Sequence, residues 1–109
     1  LIHEAVPFPR HELEAFCQRW KIHELALFGS VLRGDFDANS DIDLLVSFSE
    51  DAKWSLFDHV QMEIDLSRLF NRDVDLVSKR AVEKSSNWIR RREILESAET
   101  VCSLAEVRQ

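Results

Sequence analysis

"LFGSVLRGDFDANSDIDLLV", residues 27–46, decides how the rest of the chain is read. Both glycines of the chain, Gly29 and Gly34, fall inside it. So do Asp41 and Asp43, one residue apart in an otherwise apolar run, "DIDLLVSF". Successive side chains of a strand alternate faces, so Asp41 and Asp43 share one face while Ile42 and Leu44 enter the other layer. Neighbouring carboxylates repel when both are ionised, and a purely structural strand has no reason to hold such a pair. A divalent cation removes the repulsion, and hard oxygen ligands of this type suit Mg2+.

The glycines fit the same chemistry. "HELALFGS" is a short apolar run ending at Gly29, where the lack of a Cβ lets backbone approach a ligand closely. The amides of Ser30 and Val31, with the Ser30 hydroxyl, then present donors to an anion at the start of a helical turn. Gly34 serves the turn that returns the chain to the next strand. Asp75, in "VDLV", interrupts a third apolar run just as Asp43 does. Were those strands neighbours, the three carboxylates would form the ligand set of a two-metal phosphoryl-transfer site. Taken singly, each piece has a plainer reading: a D-x-D at a solvated edge, a Gly-Ser turn, an exposed edge aspartate.

Working outward, Pro9 followed by "RHELEAFCQRW" predicts a helix with Leu13, Phe16, Cys17 and Trp20 on one face. Residues 31–40 predict a helical turn and a loop rich in turn formers. "WSLFDHVQMEIDLSRLF" predicts a helix with Leu56, Phe57, Val60 and Ile64 on one face. Met62, Leu66 and Leu69 lie well round from it, an apolar arc wider than one sheet contact needs. "NRDVDLVS" predicts a turn and a third strand, and residues 82–107 read as helical, with an interruption near Ser97. The order α-β-(turn)-β-α-β-α is that of an α+β or mixed α/β fold with a small mixed sheet packed with helices. The 109 residues are expected to form one domain, 1–109, with no repeat, linker or low-complexity segment.

Apolar residues make up 45% and charged residues 31% of the chain, a balance that argues against disordered or fibrous classes. A net charge of −6 weighs against broad nucleic-acid binding, and direct contact with nucleic acid is not expected. No apolar run approaches the roughly 20 residues needed to span a bilayer. The first residues, "LIHEAVPFPRHE", lack the pattern of a signal peptide. Cys17 and Cys102 have no metal-ligand spacing and read as reduced, partly buried thiols, so a cytoplasmic setting is expected.

Gly29-Ser30, ten residues, then Asp41-x-Asp43 matches the G-S-x10-D-x-D signature of the DNA polymerase β-like nucleotidyltransferases. "FGSVLRGDFDANSDIDLLV" closely resembles the small prokaryotic MNT (minimal nucleotidyltransferase) proteins, and the resemblance runs through "SLFDHVQMEIDLSRLFNRDVDLVS". It implies a polymerase β-like fold and transfer of a nucleoside monophosphate from ATP, with Mg2+ as the metal. By position, Asp41 and Asp43 bind the metal, Gly29 and Ser30 hold the triphosphate, and Asp75 is the third carboxylate, activating the acceptor hydroxyl. Arg33 is either structural or a phosphate or partner contact. Leu32 departs from the usual small residue, a change read as one of packing.

MNT proteins of this kind are commonly antitoxins of HEPN-domain ribonuclease toxins, and active members transfer AMP to a toxin tyrosine. The resemblance therefore implies a HEPN-toxin partner in a hetero-oligomer. Two features of the chain suit that role: no segment after the core is expected to bind an acceptor, and there is no tyrosine for self-modification. Two other readings remain, a non-catalytic antitoxin and a nucleotidyltransferase for a small molecule or RNA end. An adjacent gene with an R-x4-H HEPN motif separates the first two from the third. His3, His11, His23 and His59 read as surface or packing residues. Trp20, Trp54 and Trp88 read as core, with a partner-facing role for Trp54 as the alternative. "RRRE", residues 90–93, reads as a solvated helix face, with a phosphate or toxin contact as the alternative.

Overall fold

The chain's computed structural model describes residues 9–29 and 40–103. Ser30, Arg33, Gly34 and His3 lie outside the described residues, as does nearly all of the expected turn over residues 31–40.

Helix α1, Arg10–Arg19, begins after Pro9, whose carbonyl accepts from the Leu13 amide at 2.9 Å. Leu13, Phe16, Cys17 and Trp20 are all buried, as their spacing predicts. Strands β1, Ile22–Phe28, and β2, Ile42–Phe48, pair antiparallel with Phe28 opposite Asp43. Helix α2, Leu56–Phe70, opens on a capping box: the Ser55 hydroxyl accepts from the Asp58 amide, and the Asp58 carboxylate accepts from the Ser55 amide. It ends at Asn71, whose short polar side chain tolerates the left-handed φ of 55°.

Strand β3, Val74–Ser78, then runs parallel to β2. A short helix α3, Lys79–Glu83, and helix α4, Trp88–Ser97, lead to strand β4, Glu99–Ser103, antiparallel to β1. The sheet order is β3-β2-β1-β4. This is the mixed sheet with packed helices expected from the sequence.

Three local expectations change. Residues 99–103 form a strand, not the end of a helix. β-Branched Thr100 and Val101 suit a pleated surface, and β1 offers them an unpaired edge. Thr100 Oγ1 donates to Glu24 Oε2 at 2.7 Å, fixing that pairing from the side chain as well. Second, the apolar arc of α2 divides: Met62, Leu66 and Phe70 enter the core, while Leu56 and Phe57 are 78% and 88% exposed. Third, Trp88, expected in the core, is 59% exposed at the start of α4. Trp54 keeps to the core as expected: it packs edge-on against Trp20, ring centroids 5.1 Å apart, and donates from Nε1 to the Trp20 carbonyl at 2.8 Å. That gives it a structural role.

The sheet has two different faces. Ile42, Leu44 and Val46 of β2, with Val74 and Leu76 of β3, join α1 and α2 in the larger core. Ala26, Phe28 and Leu45 face the other way, against Val82 of α3 and Ile94 of α4. Alternation along β2 and β3 assigns Asp43 and Asp75 to this second, more thinly covered face.

Candidate active site

Parallel pairing brings Asp43 and Asp75 together. They are direct register partners, flanked by Ile42 opposite Val74 and Leu44 opposite Leu76. Both border a hollow of about 380 Å³ between the sheet and α4, whose walls also include Phe28, Gly29, Arg90 and Glu93. Asp43 is half-buried and Asp75 exposed. The expectation that the third aspartate's strand adjoins the D-x-D strand is met in the register itself.

Gly29 is fitted to Asp43. Its φ of 81° belongs to the left-handed region, and a Cβ there would lie 3.1 Å from Asp43 Cγ and overlap Oδ2. The glycine keeps the floor of the hollow open around that carboxylate. Ser30 and Arg33, the other expected nucleotide-binding residues, lie outside the described residues.

Asp41 is placed differently. It precedes the first residue of β2, is exposed, and borders a separate hollow of about 790 Å³ with Ser40, Glu63, Arg68, Arg72 and Asp73. Arg72 Nη1 donates to the Ser40 carbonyl at 2.8 Å, and the Ile42 amide donates to the Asp73 carbonyl at 2.9 Å. These bonds tie the entry of β2 to the turn before β3. Among the described residues, no three His, Cys, Asp or Glu side chains form a metal-holding group. The donor chemistry of Asp43 and Asp75 fits a hard divalent cation, but Asp41 does not share their hollow. The larger hollow lacks that pair, so the smaller one is the better candidate for chemistry.

Helix α2 holds β3 in place along its open edge. Glu63 Oε2 accepts from the Leu76 amide at 2.8 Å, and His59 Nε2 lies 2.8 Å from the Leu76 carbonyl. Ser67 Oγ accepts from the Val74 amide at 3.1 Å. Residues 59, 63 and 67 recur at i, i+4 and i+8, so one helix face replaces the missing strand neighbour on either side of Asp75.

The wall formed by α4 reads in the sequence as a solvated face, with a phosphate or toxin contact at residues 90–93 only as the alternative. Arg90, Glu93 and Ser97 follow i, i+3, i+7 spacing and border the hollow, while Ile94 buries against the sheet. Asn87 caps the helix, its Oδ1 accepting from the Arg90 amide at 3.2 Å, which fixes Arg90 in the first turn. The sequence signal is the run of charge in "RRRE" beside Ile94 and Ser97, which does not reveal which element the helix faces.

A nucleotidyltransferase domain family model matches residues 11–101. Protein adenylyltransferase MntA of Thermococcus cleftensis is 36% identical over 66 residues, which cover 61% of this chain and 65% of that protein. The chain thus spans slightly less than two thirds of that relative's length. A solved structure provisionally named a minimal nucleotidyltransferase is 34% identical, with a TM-score of 0.63 over 82% of this chain and 85% of that one. The complex of tri-AMPylated Shewanella oneidensis HEPN toxin with its MNT antitoxin has a TM-score of 0.58 over 91% of this chain and 73% of its counterpart. At 18% identity that likeness concerns the fold. A domain match spanning most of the chain, a relative of similar length and a register that pairs Asp43 with Asp75 lead to one assignment: the chain belongs to the nucleotidyltransferase domain family, among its minimal nucleotidyltransferases.

Proposed function

We propose that this chain is the antitoxin of a HEPN/MNT toxin–antitoxin pair and transfers AMP from ATP to a tyrosine of the partner HEPN ribonuclease, with Mg2+. The observation that carries the reading is the Asp43–Asp75 pair in one hollow, with Gly29 making room for the Asp43 carboxylate. The names of the relatives support the same activity: one is a protein adenylyltransferase, and another is an antitoxin bound to an AMPylated toxin.

In this reading the tyrosine Oη attacks the α-phosphorus of ATP. A new O–P bond forms, the bond from Pα to its bridging oxygen breaks, and pyrophosphate leaves. Asp75, exposed at the mouth, takes the phenolic proton and releases it to water. Asp43 and Asp75 would hold the metal; Asp41, the third ligand expected from the sequence, borders a separate hollow at the entry of β2. The metal supplies charge stabilisation for the phosphoryl oxygens. Leu56, Phe57, Val60 and Ile64 form an exposed apolar stripe along α2, a surface that suits a protein partner.

Mass spectrometry of the partner after incubation with the chain, ATP and Mg2+ tests the proposal. AMP added to a tyrosine, and lost with Asp43→Asn while the two proteins still bind, is the expected result. A folded, bound wild-type chain that adds no AMP overturns it. The separate placement of Asp41 favours a second reading, an antitoxin that acts by covering its toxin. Neutralisation that survives Asp43→Asn selects that one.

A further inference from the structure

Arg90, Arg91 and Arg92 are consecutive, yet the fold gives them three different settings. Arg92 pairs with Glu96 at 3.2 Å on the exposed side of α4. Arg91 donates from Nη1 to the Ser85 carbonyl at 3.1 Å, bracing the helix on the preceding turn. The Arg90 guanidinium makes no hydrogen bond or ion pair among the described residues. It borders the Asp43–Asp75 hollow and an adjoining recess beside Val77 and Val82.

The charges around that hollow make this arginine matter. Among the described residues its walls carry three carboxylates, Asp43, Asp75 and Glu93, and one cation, Arg90. The three carboxylates repel an entering polyphosphate, and one bound divalent cation offsets two of their charges, leaving the third for Arg90 to balance. A guanidinium matches phosphate oxygens bidentately, and among the described residues Arg90 has no competing partner to release first. Its backbone is already fixed by the Asn87 cap, so little ordering is needed beyond the side chain.

We propose that Arg90 is a nucleotide-binding residue, gripping the polyphosphate from the α4 wall opposite Asp43 and Asp75. The inference rests on the nucleotidyltransferase reading above and adds to it a contact from outside the G-S and D-x-D segments.

Calorimetric titration of the full chain with ATP in Mg2+ tests it, using Arg90→Gln, Arg90→Lys and Arg92→Gln. Arg90→Gln should weaken ATP binding roughly ten- to a hundredfold, the range for losing a charge-assisted bond. Arg90→Lys should recover part of the loss, and Arg92→Gln should bind as wild type does. Circular dichroism should show all three folded, since both positions are exposed. Equal ATP affinity for wild type and Arg90→Gln overturns the inference and leaves the nucleotidyltransferase reading standing. Equal losses for Arg90→Gln and Arg92→Gln overturn it too, pointing to general surface charge. A wild-type chain that binds no ATP overturns both readings together.

Discussion

Gly29 and Asp43 are mutually fitted: the carboxylate of Asp43 occupies the space that any side chain at position 29 would need. Gly29→Ala must therefore move Asp43 or the end of β1, and must also hold a left-handed φ that costs an L-residue about 1–2 kcal/mol. We expect a loss of about 1–3 kcal/mol in denaturant unfolding and a collapse of transfer activity. Retained activity at wild-type stability would show that Asp43 tolerates displacement.

The three aspartates should not behave alike. Asp43 and Asp75 share one row of the sheet, while Asp41 stands at the entry of β2 on another hollow. Asp43→Asn and Asp75→Asn should each abolish AMP transfer, and a chelator should do the same to wild type. Asp41→Asn distinguishes two arrangements. Complete loss means that Asp41 joins the pair when nucleotide binds, and substantial residual transfer means that two carboxylates suffice. Transfer assays with each variant and titrated Mg2+ measure this directly.

How much of this was legible in the sequence follows from the range of each signal. Gly29, Asp43 and Asp75 announced themselves because they break apolar runs, and a strand's two-residue period then fixes which face they occupy. Arg90 could not be read in the same way. Its hollow exists only because Ile94 anchors α4 over the sheet, a contact between residues far from Asp43 in sequence. The β4 strand was hidden for a related reason, since its stability comes from the edge of β1 and not from a strong local pattern. For α2, periodicity revealed two apolar groups but not their fates, which depend on the polar line of His59, Glu63 and Ser67 meeting β3.

That polar line makes its own prediction. Glu63→Ala would leave the Leu76 amide without its acceptor, at a cost of about 1–3 kcal/mol, while Glu63→Gln keeps an acceptor oxygen and should cost less. Amide hydrogen exchange reads the difference at one atom. Leu76 N–H should exchange slowly in wild type and much faster in Glu63→Ala. If β3 must be held for Asp75 to work, transfer should fall with Glu63→Ala and recover with Glu63→Gln. Unchanged exchange would mean that β2 alone fixes β3.

The exposed stripe on α2 should matter to assembly and not to folding. Phe57 is 88% exposed, so Phe57→Asp should change stability by no more than about 0.5 kcal/mol. Binding to the proposed HEPN partner should weaken roughly a hundredfold if this side chain sits centrally in the interface. Size-exclusion chromatography with both proteins, and a melting curve of the variant alone, separate the two effects. Wild-type binding by Phe57→Asp would move the interface off this stripe.

Cys17 in α1 and Cys102 in β4 are buried against each other, joining the first helix to the last strand. The hydrogen bond to Cys102 and then burial push the Cys17 thiol well above its ordinary value of 9.0, with the charges of Cys102 and Glu14 adding to the rise. The sign follows from proton counting. Above pH 9.0 the unfolded chain loses a proton that the folded chain keeps, so the stability present below that pH declines as pH rises. Denaturant unfolding should thus be nearly flat around neutrality as far as this group is concerned and weaken progressively above about pH 9. The absence of tyrosine removes one kind of side chain that titrates in the same range. Cys17→Ala should lose about 1–2 kcal/mol at neutral pH through the cavity it leaves, yet show a shallower alkaline decline than wild type. Parallel alkaline slopes for the two proteins would place the decline on other groups.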